Sequence, residues 1–253
     1  TRLSDMALVN IDLIDRNLYE RTCDVRWWAT DSAIVAAAQD ASPEACGYAS
    51  QRLGVILDAY TVYFDLVLCS MDGVVIANGR PNTFRSKGSD VSGREWFKTA
   101  VASRSGDEYG FQSVSRDPLV ANQLTLAYSC GVREGGRRDG RLVGVLGILF
   151  DWESLAQVIM TNTPVAKECE SCTRRCILDD DGLVLADSSG RLLQDHVTLP
   201  AIDRLKSQGK GWVKEKVSGK DCYIGYAHSP GYETYATGWH SVIIQPVDVP
   251  GLN

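Results

Sequence analysis

The sequence predicts an α+β chain: a long N-terminal helix followed by two tandem modules, each built on an antiparallel sheet. Three observations predict it. Residues 67–78 read Val-Leu-Cys-Ser-Met-Asp-Gly-Val-Val-Ile-Ala-Asn, and residues 176–187 read Cys-Ile-Leu-Asp-Asp-Asp-Gly-Leu-Val-Leu-Ala-Asp, so one strand–turn–strand design occurs twice. Residues 1–28 carry an unbroken helical stripe with no Gly or Pro. After each hairpin the pattern then runs helix, strand, strand, strand.

The stripe is Leu3, Ala7, Ile11, Ile14, Leu18, Val25 and Trp28, at spacings of three, four or seven that fit one helix face. A helix of that length runs about 40 Å, longer than a small module needs, and is expected to be a rod spanning both modules. Asp31-Ser32 is expected to cap a short second helix. Ser42 then reads as an N-cap with Pro43 at the first helical position, opening a third helix to about Tyr60.

In the first module, 62–70 and 74–77 form the hairpin around Asp72-Gly73. Asp-Gly favours type I′ turns, in which both central residues take positive φ. A polar loop, 78–93, leads to a short helix over 94–102. Strands follow at 109–115, 123–132 and 142–150, the last two joined by a Gly- and Arg-rich hairpin loop. A connecting helix covers 152–160. The second module repeats the order with a hairpin over 176–187, a helix over 199–206 and strands at 212–217, 222–227 and 239–245. The expected division is 1–60, 61–160 and 161–253.

Composition excludes several function classes. The 253 residues carry a net charge of −6 with both signs interspersed and no basic stripe, which argues against nucleic acid. No run approaches the eighteen apolar residues of a membrane span. The chain begins at Thr1 without an initiator Met, and reads as an excised soluble fragment whose membrane helices lie outside it. No nucleophile elbow, zinc-protease helix, phosphate loop or dinucleotide fingerprint is present, so no enzyme is expected and no cofactor is implied. Asp179-Asp180-Asp181-Gly182 lacks the spacing of a calcium loop and reads as a hairpin turn.

Eight cysteines are present. Cys69 and Cys130 sit in apolar runs and are expected as small buried hydrophobes. Cys169, Cys172 and Cys176 are close enough to form a local disulfide, remain thiols, or bind a metal with Cys222 or a histidine as fourth ligand. Cys172 and Cys176 would face each other if the stretch were helical. His196, His228 and His240 are scattered singly.

The element order is that of PAS-like modules. With the long helix in front, and with Gly88-Ser89-Asp90-Val91-Ser92-Gly93-Arg94-Glu95-Trp96-Phe97 and Gly144-Val145-Leu146-Gly147 in place, the chain resembles the double Cache sensor domain. That family supplies the extracytoplasmic (periplasmic) ligand-binding part of bacterial chemoreceptors and sensor kinases. The resemblance implies that Arg94 and Trp96 hold a ligand carboxylate in the first, membrane-distal module. Where amino-acid binders of the family have tyrosines, this chain has Ser89 and Phe97, and Leu149 occupies the place of the carboxylate that grips an amine, with Asp151 two residues on. A carboxylic acid is therefore as good a ligand as an amino acid.

Arg94 offers a planar fork for a carboxylate, and Trp96 and Phe97 would keep water from it. The bland alternative pairs Arg94 with Asp90 or another loop acid. Tyr109, Phe111, Gln112 and Ser113 are expected to line the pocket from the following strand, with Tyr128 and Asp151 beside them. Signalling would pass through the long helix and through the last strand, which leads to Asn253, and the long helix would form a homodimer. Two rival readings are a metal or redox sensor built on Cys169, Cys172 and Cys176, and a module that binds a partner protein.

Overall fold

The structure is a computed structural model, and it describes residues 2–248. The chain end at Asn253, expected to carry the signal onward, lies outside the described residues. The predicted helix forms as α1 (Arg2–Trp28), and two further helices follow, α2 (Ser32–Asp40) and α3 (Pro43–Ala59). The Asp31 side chain accepts from the Ala33 N–H and the Ser42 hydroxyl accepts from the Ala45 N–H, so both helices start at the residues whose side chains can satisfy the first free amides.

Chain contacts divide the molecule into two units, Arg21–Trp152 and a second comprising Thr1–Glu20 with Glu153–Asn253. The dividing points fall inside α1 and after Trp152.

The first unit holds β1 (Tyr63–Cys69), β2 (Val75–Asn78), α4 (Glu95–Val101), β3 (Gly110–Asp117), β4 (Gln123–Arg133) and β5 (Leu142–Asp151). Its antiparallel sheet has the order β2-β1-β5-β4-β3. The last turns of α1 cover one face: Val25 and Trp28 are buried, the Arg21 guanidinium lies over the Tyr63 and Phe150 rings, and the Tyr63 hydroxyl donates to Asp24. On the other face α4 packs over Val67, Ala127, Val145 and Leu149.

The second unit holds α5 (Trp152–Asn162), β6 (Arg174–Leu178), β7 (Val184–Asp187), α6 (Pro200–Lys206), β8 (Lys210–Val217), β9 (Lys220–His228) and β10 (His240–Pro246). Its sheet repeats the same order, β7-β6-β10-β9-β8. Here Ala7, Ile11, Ile14 and Leu18 of α1 are buried. Leu3 crosses β9 at Gly225, where a Cβ would stand 2.4 Å from the Leu3 main-chain carbon.

The repeat extends into the loops. Val91 N–H bonds Gly73 C=O in one unit, and Val197 N–H bonds Gly182 C=O in the other. The turn type differs from the expectation. Gly73 (φ 82°) and Gly182 (φ 83°) take positive φ, whereas Asp72 and Asp181 do not. A type I′ turn needs positive φ at both central residues. The bonds from Gly73 N–H to Ser70 C=O and from Gly182 N–H to Asp179 C=O mark instead a three-residue loop closed by a left-handed glycine.

Candidate functional site

Arg94 stands immediately before α4 as its N-cap residue, without a side-chain cap bond. Trp96 and Phe97 follow, both buried, and pack edge to face. Glycines let α4 sit directly on the sheet. A Cβ at Gly147 would lie 2.8 Å from Trp96 Cζ3, and one at Gly110 would lie 2.8 Å from the Trp96 carbonyl oxygen. The Ser129 hydroxyl, between these two glycines in register, donates to that same carbonyl at 2.6 Å.

Residues paired across the sheet share a face, so the strand register decides what α4 can see. Gln112 pairs with Ala127, and Ala127 with Leu149; Ser115 pairs with Thr125, and Thr125 with Asp151. These rows lie under α4 with Trp96. Tyr128 pairs with Phe111 and Ile148, on the opposite face. Phe111 and Tyr109 pack against the Tyr128 ring there, and Arg26 of α1 covers Tyr109. The site expected from the sequence therefore splits. Arg94, Trp96, Phe97, Gln112 and Asp151 share the α4 face; Tyr109, Phe111 and Tyr128 belong to the α1 face. Ser113 is exposed in a bulge between Gln112 and Ser115.

The partner of Arg94 is Asp117, which sequence reasoning missed; Asp90 instead accepts from the Ser92 N–H. Asp117 ends β3 and is 2% exposed, and its Oδ1 accepts from the Leu119 N–H at 2.9 Å and from Arg94 Nη2 at 3.4 Å. That second distance exceeds the roughly 2.7–2.9 Å of a good charge-assisted bond, and only one nitrogen of the fork is used. Arg94 itself is 25% exposed. A short acid at a strand end before Pro118 reads as turn chemistry, which hid it.

Trp96 Nε1, Gln112 Oε1 and Ser86 Oγ are among the buried polar atoms of this unit that lack a hydrogen-bond partner. Nearby, Asp65 on β1 fixes the start of the 79–94 loop, accepting from the Gly79 and Arg80 amides and from Asn78 Nδ2. Burial pushes its carboxyl above the usual range, against those bonds.

A PAS-like sheet order thus occurs twice in this chain, and the family model for Cache domains matches residues 25–249. The chain belongs to the double Cache domain family. Solved structures share the fold of this Cache domain. The sensor domain of the V. cholerae histidine kinase DctB is 17% identical, with a TM-score of 0.65, covering 92% of this chain and 91% of that one. The sensory domain of the Campylobacter jejuni chemoreceptor Tlp3 with isoleucine bound is 15% identical, with a TM-score of 0.69 and coverage of 98% and 92%. The ligand-binding domain of the Pseudomonas fluorescens chemoreceptor CtaA in complex with L-leucine is 17% identical, with a TM-score of 0.61 and coverage of 97% and 94%. No curated protein matches the sequence.

All eight cysteines are free thiols, and Cys69 and Cys130 are buried as expected of small hydrophobes. Cys172 turns its Sγ back to the Cys169 carbonyl, and Cys176 lies in the core on β6, its Sγ against Asp187. Because β6 starts at Arg174, the stretch is not helical and Cys172 does not face Cys176. Burial pushes the Cys169 and Cys176 thiols up, away from the thiolate a metal needs. No helix among the described residues is long and apolar enough to cross a membrane.

Proposed function

We propose that this Cache domain is the extracytoplasmic sensing domain of a transmembrane chemoreceptor or sensor kinase, and that it binds a small carboxylate-bearing ligand on the α4 face of its first module. The observation that carries the reading is the pairing of an underused guanidinium with a buried indole N–H that has no partner. Arg94 spends one nitrogen on a long contact to Asp117, and Trp96 Nε1 spends nothing. A ligand carboxylate would take the Arg94 fork, and its desolvation would be offset by the charge-assisted bonds it gains. Asp117 is then the acid placed to accept a ligand ammonium, which the expected position, Leu149, cannot do. The relatives whose structures hold isoleucine and L-leucine agree with this chemistry.

Signalling requires that the ligand favour one of two arrangements of the domain, since a ligand binding both equally shifts nothing. A thermal-shift panel of amino acids, carboxylic acids, amines and purines tests the reading. A ligand at a hundred times its dissociation constant adds about 2.7 kcal/mol of stability. The expected hit carries a carboxylate and is lost in Arg94→Ala. A hit among amines or purines that survives Arg94→Ala would contradict it.

The reading includes a homodimer through α1. Val9 and Leu13 are exposed on α1, and with Val158 of α5 they line an apolar groove of about 240 Å³. Sedimentation should show a dimer that Leu13→Glu weakens; a monomeric wild-type domain at high concentration would remove this part of the proposal.

A further inference from the structure

The second unit brings together two of the scattered histidines and an acid from the turn. His228 ends β9 and His240 begins β10, and the two are register partners, so their rings stand on one face with centroids 4.8 Å apart. β6 flanks β10 on its other side, with Leu178 opposite His240. The Asp179–Gly182 turn therefore ends beside the pair, and Asp180 Oδ1 lies 2.6 Å from His240 Nε2. One donor atom from each of Asp180, His228 and His240 lies within 4.8 Å of the other two. The His240 side chain is 4% exposed, whereas that of Asp180 is 81% exposed.

We propose that Asp180, His228 and His240 form a binding site for a divalent transition metal ion, with zinc as the ion the donor set suits best. Two imidazole nitrogens and one carboxylate oxygen are zinc's own ligand types, and a carboxylate on a hard, weakly held ion alone would not need the histidines. Three ligands leave a fourth position for water or a second ligand. A cleft of about 170 Å³ adjoins Asp180 and His240 and is also lined by Asp203, Lys206 and Thr198.

The surroundings prepare His240 for this role. Its Nδ1 lies 2.8 Å from the buried Tyr226 hydroxyl. Burial, with the neighbouring His228 and Lys206, holds its pKa below the ordinary value, against the pull of Asp180. Asp180 can only accept, so the neutral ring carries its proton on Nε2 in the metal-free site. The metal replaces that proton, which passes to Nδ1 and is donated to the Tyr226 oxygen. Tyr226 then orients the metal-bound ring, in the way outer partners of metal-bound histidines usually do.

The site is also wired to α1. The loop joining His228 to His240 is bound to Asp15 of α1 through the Ser229 hydroxyl, the Gly231 N–H, and the N–H and hydroxyl of Thr237. An ion that fixes both ends of this loop acts on the segment that α1 holds.

Calorimetric titration of the chelator-treated, tag-free domain with zinc chloride tests the proposal. The expected result is one saturable zinc per chain, weakened at least about 10-fold in both His228→Ala and Asp180→Asn and unchanged in Cys172→Ser. His228 and Asp180 are not buried, so both variants should melt as wild type does without metal, which separates loss of a ligand from loss of fold. Absence of saturable zinc binding would overturn the proposal. So would binding that survives both substitutions, or binding lost in Cys172→Ser but kept in His228→Ala.

Discussion

Asp15→Ala is expected to destabilise the domain by about 3 kcal/mol or more. Asp15 lies fully buried on the α1 stripe, one position from Ile14. Its two oxygens accept four hydrogen bonds at 2.6–3.1 Å, all from the 229–237 loop. Every donor is neutral, so the substitution leaves no charge unpaired. It does leave buried amides and hydroxyls without an acceptor, at about 1–3 kcal/mol each where water cannot reach them. Asp15→Asn should recover little, because its NH₂ would face donors. Urea unfolding of the three proteins measures this. A loss below about 1 kcal/mol for Asp15→Ala would mean that water replaces the carboxylate and that α1 does not hold the loop.

Gly147→Val should produce the second large effect, on stability and on binding together. Any Cβ there meets Trp96 Cζ3 at 2.8 Å and Cη2 at 2.9 Å, and two further methyl groups deepen the clash. Trp96 is among the largest fully buried side chains and cannot yield without opening the core beneath α4. Overpacking of this kind costs about 1–3 kcal/mol. The ring it displaces is the wall of the proposed site, so ligand affinity should fall even under conditions where the variant is fully folded. Gly147→Ala should show the same pattern at smaller size. Unchanged affinity in folded Gly147→Val would place the ligand away from Trp96.

What was legible in the sequence was local. The α1 stripe, the Ser42-Pro43 helix start, the two Asp-Gly hairpins and the order of strands each follow from residues within a few positions of one another. The turn type is not legible in the dipeptide, because Asp-Gly marks where a glycine takes positive φ without saying whether the aspartate shares it. Sequence alone does not say which face of β3 and β4 looks toward α4, so it does not separate Tyr109, Phe111 and Tyr128 from Arg94; the bulge after Gln112 blurs the alternation further. Asp117 was missed because its partner, Arg94, lies 23 residues earlier and reaches it only once α4 sits on the sheet. His228 and His240 read as isolated residues. They meet Asp180 only because β10 inserts between β6 and β9, a long-range pairing with no local signature.

The central claim, that ligand binds on the α4 face of the first module, is tested most directly by following the six tryptophan indole N–H resonances during titration with the strongest ligand of the thermal-shift panel. Trp96→Phe assigns the Trp96 signal. A ligand bonded between Arg94 and the indole should shift that resonance strongly and saturably while Trp212 and Trp239 of the second unit stay in place. A saturable ligand that leaves the Trp96 signal unmoved, or that shifts Trp212 or Trp239 instead, would contradict the account.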